Sequence, residues 1–385
     1  MRSNRLAVVL TLPPSIKGPF TGPQALCLQL GEAISMVDSS VALFSYARGG
    51  LRALLAAPRI RTLGGLQLTE VGALRFLMSL GHYGAVHFAA GQLHAAGAAL
   101  LRTVRSAPLL SYTAGGLIRM ERRIHRDEET RAPYWREAAE SVVVRSADLI
   151  LCPSRRCADV IAAEWQIPEP RIAVVPYGVA PPATAPLPLA DGTPPDPVIL
   201  AVANMHRCKG LHFLIEACKQ LSPSPFHLRI IAGGGSAVYR AALDRSIREA
   251  GQDFSARVEF LPAVSRALLM QHFASAAVFV QPSEFETFGL TALEALSCGT
   301  PVVVSDGAGV ADVMSGCVAA QVVPYGDTPA LARALRRHLT QPFPSPVSRD
   351  AAIERAASLS WAAAARATLA RLHGLIRSPA TAAAS

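Results

Sequence analysis

Short apolar runs alternate with longer helix-like segments along the chain, and this alternation is interrupted once before it restarts. The interruption spans residues 180–197, where seven prolines fall within 18 residues. Each proline lacks an N–H and fixes φ, so the stretch packs as neither helix nor strand and reads as a linker. Before it, strands are expected at Leu6–Leu12, Val41–Tyr46, Pro108–Tyr112, Leu149–Cys152 and Ile172–Pro176, with helices at Gln24–Ser35 and Cys157–Trp165. After it, strands are expected at Val198–Ala203, His227–Ala232, Val258–Leu261, Val278–Gln281 and Pro301–Ser305. The helices expected there are Leu211–Gln220, Val238–Ala250, Ser265–Ser275, Leu290–Ser297, Leu331–Leu339 and Trp361–Ile376. Such alternation is the pattern of parallel sheets covered by helices on both faces. The expectation is an α/β chain of two doubly wound domains, residues 1–180 and 198–360, joined by a Pro-rich linker at 181–197 and closed by a helix over 361–378. Two such domains facing across a cleft take ligands at the carboxyl ends of their strands.

At 385 residues, 51% hydrophobic and 17% charged, the chain is too apolar and too weakly charged to be disordered. Its seven cysteines are scattered with no C-x-x-C pair, which excludes a disulfide-stapled framework and points to reduced thiols in a cytosolic protein. The longest stretch free of Lys, Arg, Asp and Glu, from Phe76 to Leu101, is broken by glycines and by His82, His87 and His94, so no membrane span is expected. Arg2 and Arg5 before Leu6–Leu12 mimic a signal peptide, but the run stops at Pro13-Pro14 without a small-residue cleavage site, as a first buried strand would. The net charge of +9 is uneven: residues 1–190 hold 20 basic and 13 acidic side chains, residues 191–385 hold 17 and 15. A basic half implies an anionic partner. Zinc-finger spacing, aromatic-rich single-strand signatures and basic runs longer than two are all missing, so nucleic acid is not the expected one. An anionic membrane surface or a phosphate-bearing substrate fits, with a location in the cytoplasm or at the inner face of the cell membrane. Only three of the 37 basic residues are lysines, Lys17, Lys209 and Lys219, which singles each of them out.

The segment Val278–Asp306 concentrates the chemistry, as strand, acidic loop, helix, glycine turn and strand. Glu286 lies in the loop and Glu294 in the second turn of the helix that Gly289 opens, so both can face one pocket. Backbone N–H groups from Phe288 through Gly289 and Leu290 to Thr291 would point at an anion, reinforced by the helix dipole. The loop carboxylate can accept hydrogen bonds from sugar hydroxyls, and the helix carboxylate can accept two from a ribose. A second segment, Leu200–Ala217, places Lys209-Gly210 at a helix start, where a cation opposes the dipole unless an anion accompanies it.

The pattern Pro282-Ser283-x-x-Glu286-x-Phe288-Gly289-x-x-x-x-Glu294-Ala295-x-x-x-Gly299-x-Pro301-Val302-Val303 closely resembles the E-x7-E signature of retaining glycosyltransferases of family 4, which have the GT-B fold of two Rossmann-like domains. Weaker matches are Ala147–Ser154, Val174–Val179, Ile231–Gly235, Phe260–Ala263, Ser305–Gly309 with Asp312, and Ser360-Trp361, whose helix in that fold returns to the first domain. Gly18 and Gly22 look like the family's glycine loop after the first strand, on the acceptor side.

The resemblance implies sugar transfer from a nucleotide diphosphate sugar with retention of configuration. Lys209, Arg207 and Glu286 would form the catalytic set, with Asn204, Gly210, Phe288, Gly289, Leu290, Thr291 and Glu294 binding the donor. The family habit of an Arg five residues before the Lys is replaced here by Asn204, and Arg207 could supply the charge. The family's His in the first domain has no counterpart in Leu109–Gly116; His87 and His94 nearby read as structural or surface residues. No D-x-D triad occurs, so metal-independent transfer without a further cofactor is expected. The implied acceptor is lipid-linked or a saccharide, in bacterial cell-surface polysaccharide or lipopolysaccharide assembly, with possible peripheral contact with an anionic membrane. The alternatives are a soluble small-molecule acceptor, another GT-B enzyme, or a non-catalytic protein that binds nucleotide sugars.

Overall fold

The computed structural model describes residues 4–12, 22–47, 51–89, 96, 98–99, 108–124, 133–182, 196–339 and 346–377. Its contacts divide the chain into two units. The first comprises residues 1–119, 132–177 and 361–385, and the second residues 120–131 and 178–360.

The first unit is built on eight strands: β1 (Leu6–Val9), β2 (Ala42–Tyr46), β3 (Arg59–Leu63), β4 (Leu66–Val71), β5 (Ala85–Phe88), β6 (Leu109–Thr113), β7 (Leu149–Cys152) and β8 (Ile172–Val174). Their order in the sheet is β3-β4-β2-β1-β5-β6-β7-β8. All pairs are parallel except β3–β4. The central strands β1, β5, β6 and β7 are buried along their whole length, as parallel strands covered on both faces must be. The helix Trp361–Arg377 packs on the helix Gly22–Val37 and on β5 and β6, with the rings of Trp361 and Tyr177 stacked at 5.9 Å.

The second unit has six strands, all parallel: β9 (Val198–Val202), β10 (His227–Ala232), β11 (Val258–Pro262), β12 (Val278–Gln281), β13 (Val302–Ser305) and β14 (Ala320–Val323). Their order is β11-β10-β9-β12-β13-β14. Its core joins Ile199, Leu228, Ile230, Val278 and Val280 on the strands to Leu211, Leu214 and Leu335 on the helices. The strand order reverses between β9 and β12, so the loops leaving these two strands diverge to opposite faces and leave a crevice between them.

The ten expected strands recur, five of them one to three residues shorter. Features that were not anticipated include the β3–β4 hairpin, β5, β14, the longer helices Tyr134–Ser146 and Pro346–Ala357, and the short helices Leu51–Leu54, Ala73–Met78 and Ile118–Ile124. The hairpin closes through Gly64-Gly65, with Leu63 opposite Leu66 and Gly64 at φ +62°. Most of the Pro-rich linker, residues 183–195, lies outside the described residues.

Candidate active site

The crevice between β9 and β12 collects the polar residues that the sequence singles out. After β9 the chain passes Asn204 and makes a short 3₁₀ turn, Arg207–Lys209, before the helix Leu211–Lys219. The joint is Gly210, held at φ +69°. A Cβ there would collide with the Pro282 carbonyl oxygen, so only glycine lets the two loops meet. The meeting is tied by the Glu284 N–H, which donates to the Cys208 carbonyl at 2.7 Å.

This contact brings Lys209 and Glu286, 77 residues apart, into an ion pair between Nζ and Oε1. Both side chains are about three-quarters buried. Burial alone would lower the Lys209 pKa, but the Glu286 carboxylate, helped by Cys208, more than offsets it, and the pKa is raised. The ammonium therefore stays charged at neutral pH. Glu286 is itself fixed by its backbone: its N–H donates to Gly307 O at 3.1 Å, and its carbonyl accepts from Gly309 N–H at 3.0 Å. Gly307 packs against the Ser283 and Glu284 carbonyls, too tightly for any side chain.

Gly289, at φ +116°, opens the helix Leu290–Ser297. A Cβ on it would lie 2.8 Å from the amide of Gln281, which is buried beneath it and whose Oε1 has no hydrogen-bond partner among the described residues. The first-turn N–H groups of a helix have no acceptor within it, so Leu290 and Thr291 present donors at this end. Phe288 contributes only main chain: its ring is 1% exposed, and its carbonyl accepts from Val310 N–H at 2.7 Å. Glu294 lies one turn on, 15% exposed, and Arg266 Nη1 donates to its Oε1 at 2.7 Å.

Of the remaining expected residues, Asn204 is exposed, with its Oδ1 3.0 Å from the position of a Cβ on Gly233. Arg207 is exposed, and its charge reaches His212, whose pKa falls to about 4, first through burial and then through this guanidinium. His212 Nδ1 lies 2.9 Å from the Tyr239 hydroxyl. Gly22 begins the helix Gly22–Val37, whereas Gly18 and His94 lie outside the described residues. His87 is wholly buried, with Nδ1 3.1 Å from Ser111 Oγ and Nε2 3.1 Å from Thr113 Oγ1; burial drives its pKa down to about 3. It is a neutral core histidine. The weaker family segments also resolve into scaffold. Asp148 Oδ2 accepts from Leu110 N–H at 2.8 Å, and Ser154 Oγ caps the helix Arg155–Trp165 by accepting from Cys157 N–H at 3.0 Å.

Sequence reasoning missed Arg266, Gln281 and Gly307 as parts of this site. Arg266 follows a helix-capping serine, and nothing in its own neighbourhood points to Glu294. All seven cysteines are buried free thiols. Among the described residues no cluster of His, Cys, Asp and Glu could hold a metal ion, and no helix is long and apolar enough to cross a membrane.

Two family models match the chain. Residues 27–181 match Glycosyltransferase Family 4, and residues 196–341 match Glycosyl transferases group 1. Among curated proteins, D-inositol 3-phosphate glycosyltransferase of Kineococcus radiotolerans is 31% identical over 265 residues, 62% of this chain and 59% of that protein. The protein of the same name from Kribbella flavida is 28% identical over 307 residues, 75% of this chain and 71% of its own length. The match thus spans about 60–70% of the length of these two relatives. Among solved structures, sucrose-phosphate synthase from Thermosynechococcus elongatus has a TM-score of 0.72 at 21% identity, covering 96% of this chain and 98% of its own. The Anabaena protein HepE, solved with UDP and glucose, has a TM-score of 0.69 at 16% identity, covering 96% and 99%. With the two family models together spanning more than three-quarters of its length and the fold shared end to end, the chain belongs to the group 1 glycosyltransferases of family 4, built on the GT-B fold.

Proposed function

We propose that the protein transfers a sugar from a nucleotide diphosphate sugar to an anionic acceptor, with retention at the anomeric carbon. The observation that carries this is the Lys209–Glu286 pair at the strand-order reversal, beside the helix start at Gly289. An arriving diphosphate takes Lys209 and the helix-start N–H groups, and Glu286 is released to accept hydrogen bonds from the sugar hydroxyls. Glu294 takes the ribose hydroxyls. The barrier is charge separation, because an oxocarbenium-like sugar forms as the diphosphate leaves. Fixed positive charge at the leaving group lowers that barrier, and losing one such charge costs about 3 kcal/mol, or roughly a hundredfold in rate. The acceptor attacks the face that the diphosphate leaves, and the departing phosphate oxygen takes its proton. Lys209, Arg207 and the helix dipole supply the charge that a divalent cation would supply elsewhere, so turnover should persist in a chelator.

The acceptor is lipid-linked or a saccharide, in the assembly of a surface polysaccharide; the basic first half of the chain favours it. A soluble phosphorylated acceptor is the second reading. It is favoured by the name of the relatives, which specifies inositol 3-phosphate, and by a neighbour solved with glucose-6-phosphate, the trehalose-phosphate synthase of Burkholderia xenovorans. Assays with vesicle-borne and soluble acceptors separate the two.

The first test is thermal stabilisation by a panel of nucleoside diphosphates, starting with UDP. A ligand at a hundred times its Kd stabilises by about 2.7 kcal/mol. One nucleotide should stabilise the wild type and fail on Lys209→Ala. No shift with any nucleotide would overturn the donor site.

A further inference from the structure

In the first unit, the short helices Leu51–Leu54 and Ala73–Met78 carry apolar side chains on their outward faces, where a helix covering a parallel sheet ordinarily carries polar ones. Leu54 is 45% exposed, Leu55 56%, Leu74 45% and Met78 77%. Leu74 and Met78 are four apart and stack on one side of their helix, while Phe76 turns inward at 1% exposure. The two helices meet at Gly72. Its N–H donates to Ala56 O at 3.0 Å, and a Cβ on it would lie 2.5 Å from Ala56 N. The two segments thus touch through their backbones, and the four exposed apolar side chains flank this junction.

The exposed charge on that segment has one sign. Arg52 and Arg75 are exposed beside the leucines. The single acidic residue between positions 51 and 83 is Glu70, and it is 5% exposed. Its two oxygens are taken by Arg59 Nε at 2.9 Å and Arg61 Nη1 at 3.0 Å. The segment thus shows solvent apolar groups and guanidinium groups with no exposed carboxylate. A symmetric pairing of two copies through this segment would offer Arg52 and Arg75 no exposed carboxylate from the same segment, only apolar groups and further guanidinium groups. Negative lipid headgroups over acyl chains complement both features at once.

We propose that this surface seats the protein on an anionic lipid bilayer, with Leu54, Leu55, Leu74 and Met78 entering the boundary between headgroups and acyl chains and Arg52 and Arg75 at the level of the lipid phosphates. The docking would bring the protein to the membrane that holds a lipid-linked acceptor. It rests on that reading for its use, not for its chemistry.

The test is co-sedimentation of the full chain with phosphatidylcholine vesicles, with and without phosphatidylglycerol, at low and high salt. Binding is expected to the anionic vesicles alone and to be released by salt. Each basic residue near such a surface is worth about 1 kcal/mol, so the double variant Arg52→Ala/Arg75→Ala should lower partitioning about thirtyfold. Leu74→Ser/Met78→Ser should abolish binding at an unchanged melting temperature. Val347→Ser, at a side chain 72% exposed in the second unit, should bind as wild type does. As a readout independent of loss, a fluorophore on Met78→Cys should shift to the blue with anionic vesicles; the native thiols are buried and escape labelling. Equal binding to both vesicle types, no binding to either, or patch variants that bind like wild type would overturn the proposal. A wild-type dimer that Leu74→Ser/Met78→Ser converts to a monomer would make this face an interface between copies, and would overturn it too. Vesicle binding without any stabilisation by nucleotides would leave the docking surface standing while the transfer reading falls.

Discussion

Gly210 carries no charge, yet it builds the site by letting two loops touch. Its φ of +69° is costly for any other residue, and a methyl group would strike the Pro282 carbonyl. Gly210→Ala should therefore destabilise the protein by about 1–3 kcal/mol. It should also separate Lys209 from Glu286 and remove the thermal shift given by nucleoside diphosphates, as differential scanning calorimetry would report. Glu294 and Arg266 make the opposite case. Arg266 is half exposed, and an exposed pair contributes about 0–1 kcal/mol, so Arg266→Ala should leave the melting temperature nearly unchanged. Hydrogen bonds to a charged group are worth about 1.5–3 kcal/mol. Glu294→Ala should accordingly weaken nucleotide binding by roughly tenfold to a hundredfold in titration calorimetry, at little cost in stability.

Helices here are begun by side chains that lie far away in the sequence as well as by local caps. Glu140, wholly buried on the helix Tyr134–Ser146, accepts from Ile118 N–H at 2.8 Å and Arg119 N–H at 2.9 Å, closing the start of the helix Ile118–Ile124. Glu140→Ala would leave two N–H groups without acceptors, at about 1–3 kcal/mol each, and should expose that helix to early amide hydrogen exchange. Local chemistry made several elements legible. Ser154, Ser236 and Ser265 stand where an N-cap is needed and each accepts from the backbone N–H three residues on. The β3–β4 hairpin also carried its signal, a Gly-Gly pair between alternating runs, but the arginines on β3 masked it as surface sequence. β5 was hidden for another reason: it is four residues long, and its His87 reads as polar until Ser111 and Thr113 on the next strand are seen to satisfy both ring nitrogens.

For the molecule as a whole, acid is the sensitive axis. His87 has a pKa of about 3 when folded against an ordinary 6.5, so the unfolded chain takes up the proton first. Stability that is fully present above pH 6.5 is then lost as the pH falls, by about 2 kcal/mol at pH 5 from this residue alone. Burial lowers the pKa of His212, His272 and His338 as well, so they act in the same direction. Urea unfolding between pH 7 and 5 should show this slope, and His87→Gln should be less stable at pH 7 but flatter with pH. The sequence by itself determined the two α/β units, most of their strands, and which residues stand as candidates for a donor site. Strand and helix periodicity, glycine placement and the spacing of Glu286 and Glu294 are properties of short segments. Only the tertiary structure decided which charges meet. The Lys209–Glu286 and Arg266–Glu294 pairs, the two arginines on Glu70 and the meeting of Gly72 with Ala56 all join residues through strand order and loop contact. The partners lie up to 77 residues apart, and no local pattern encodes a distance that the fold alone closes.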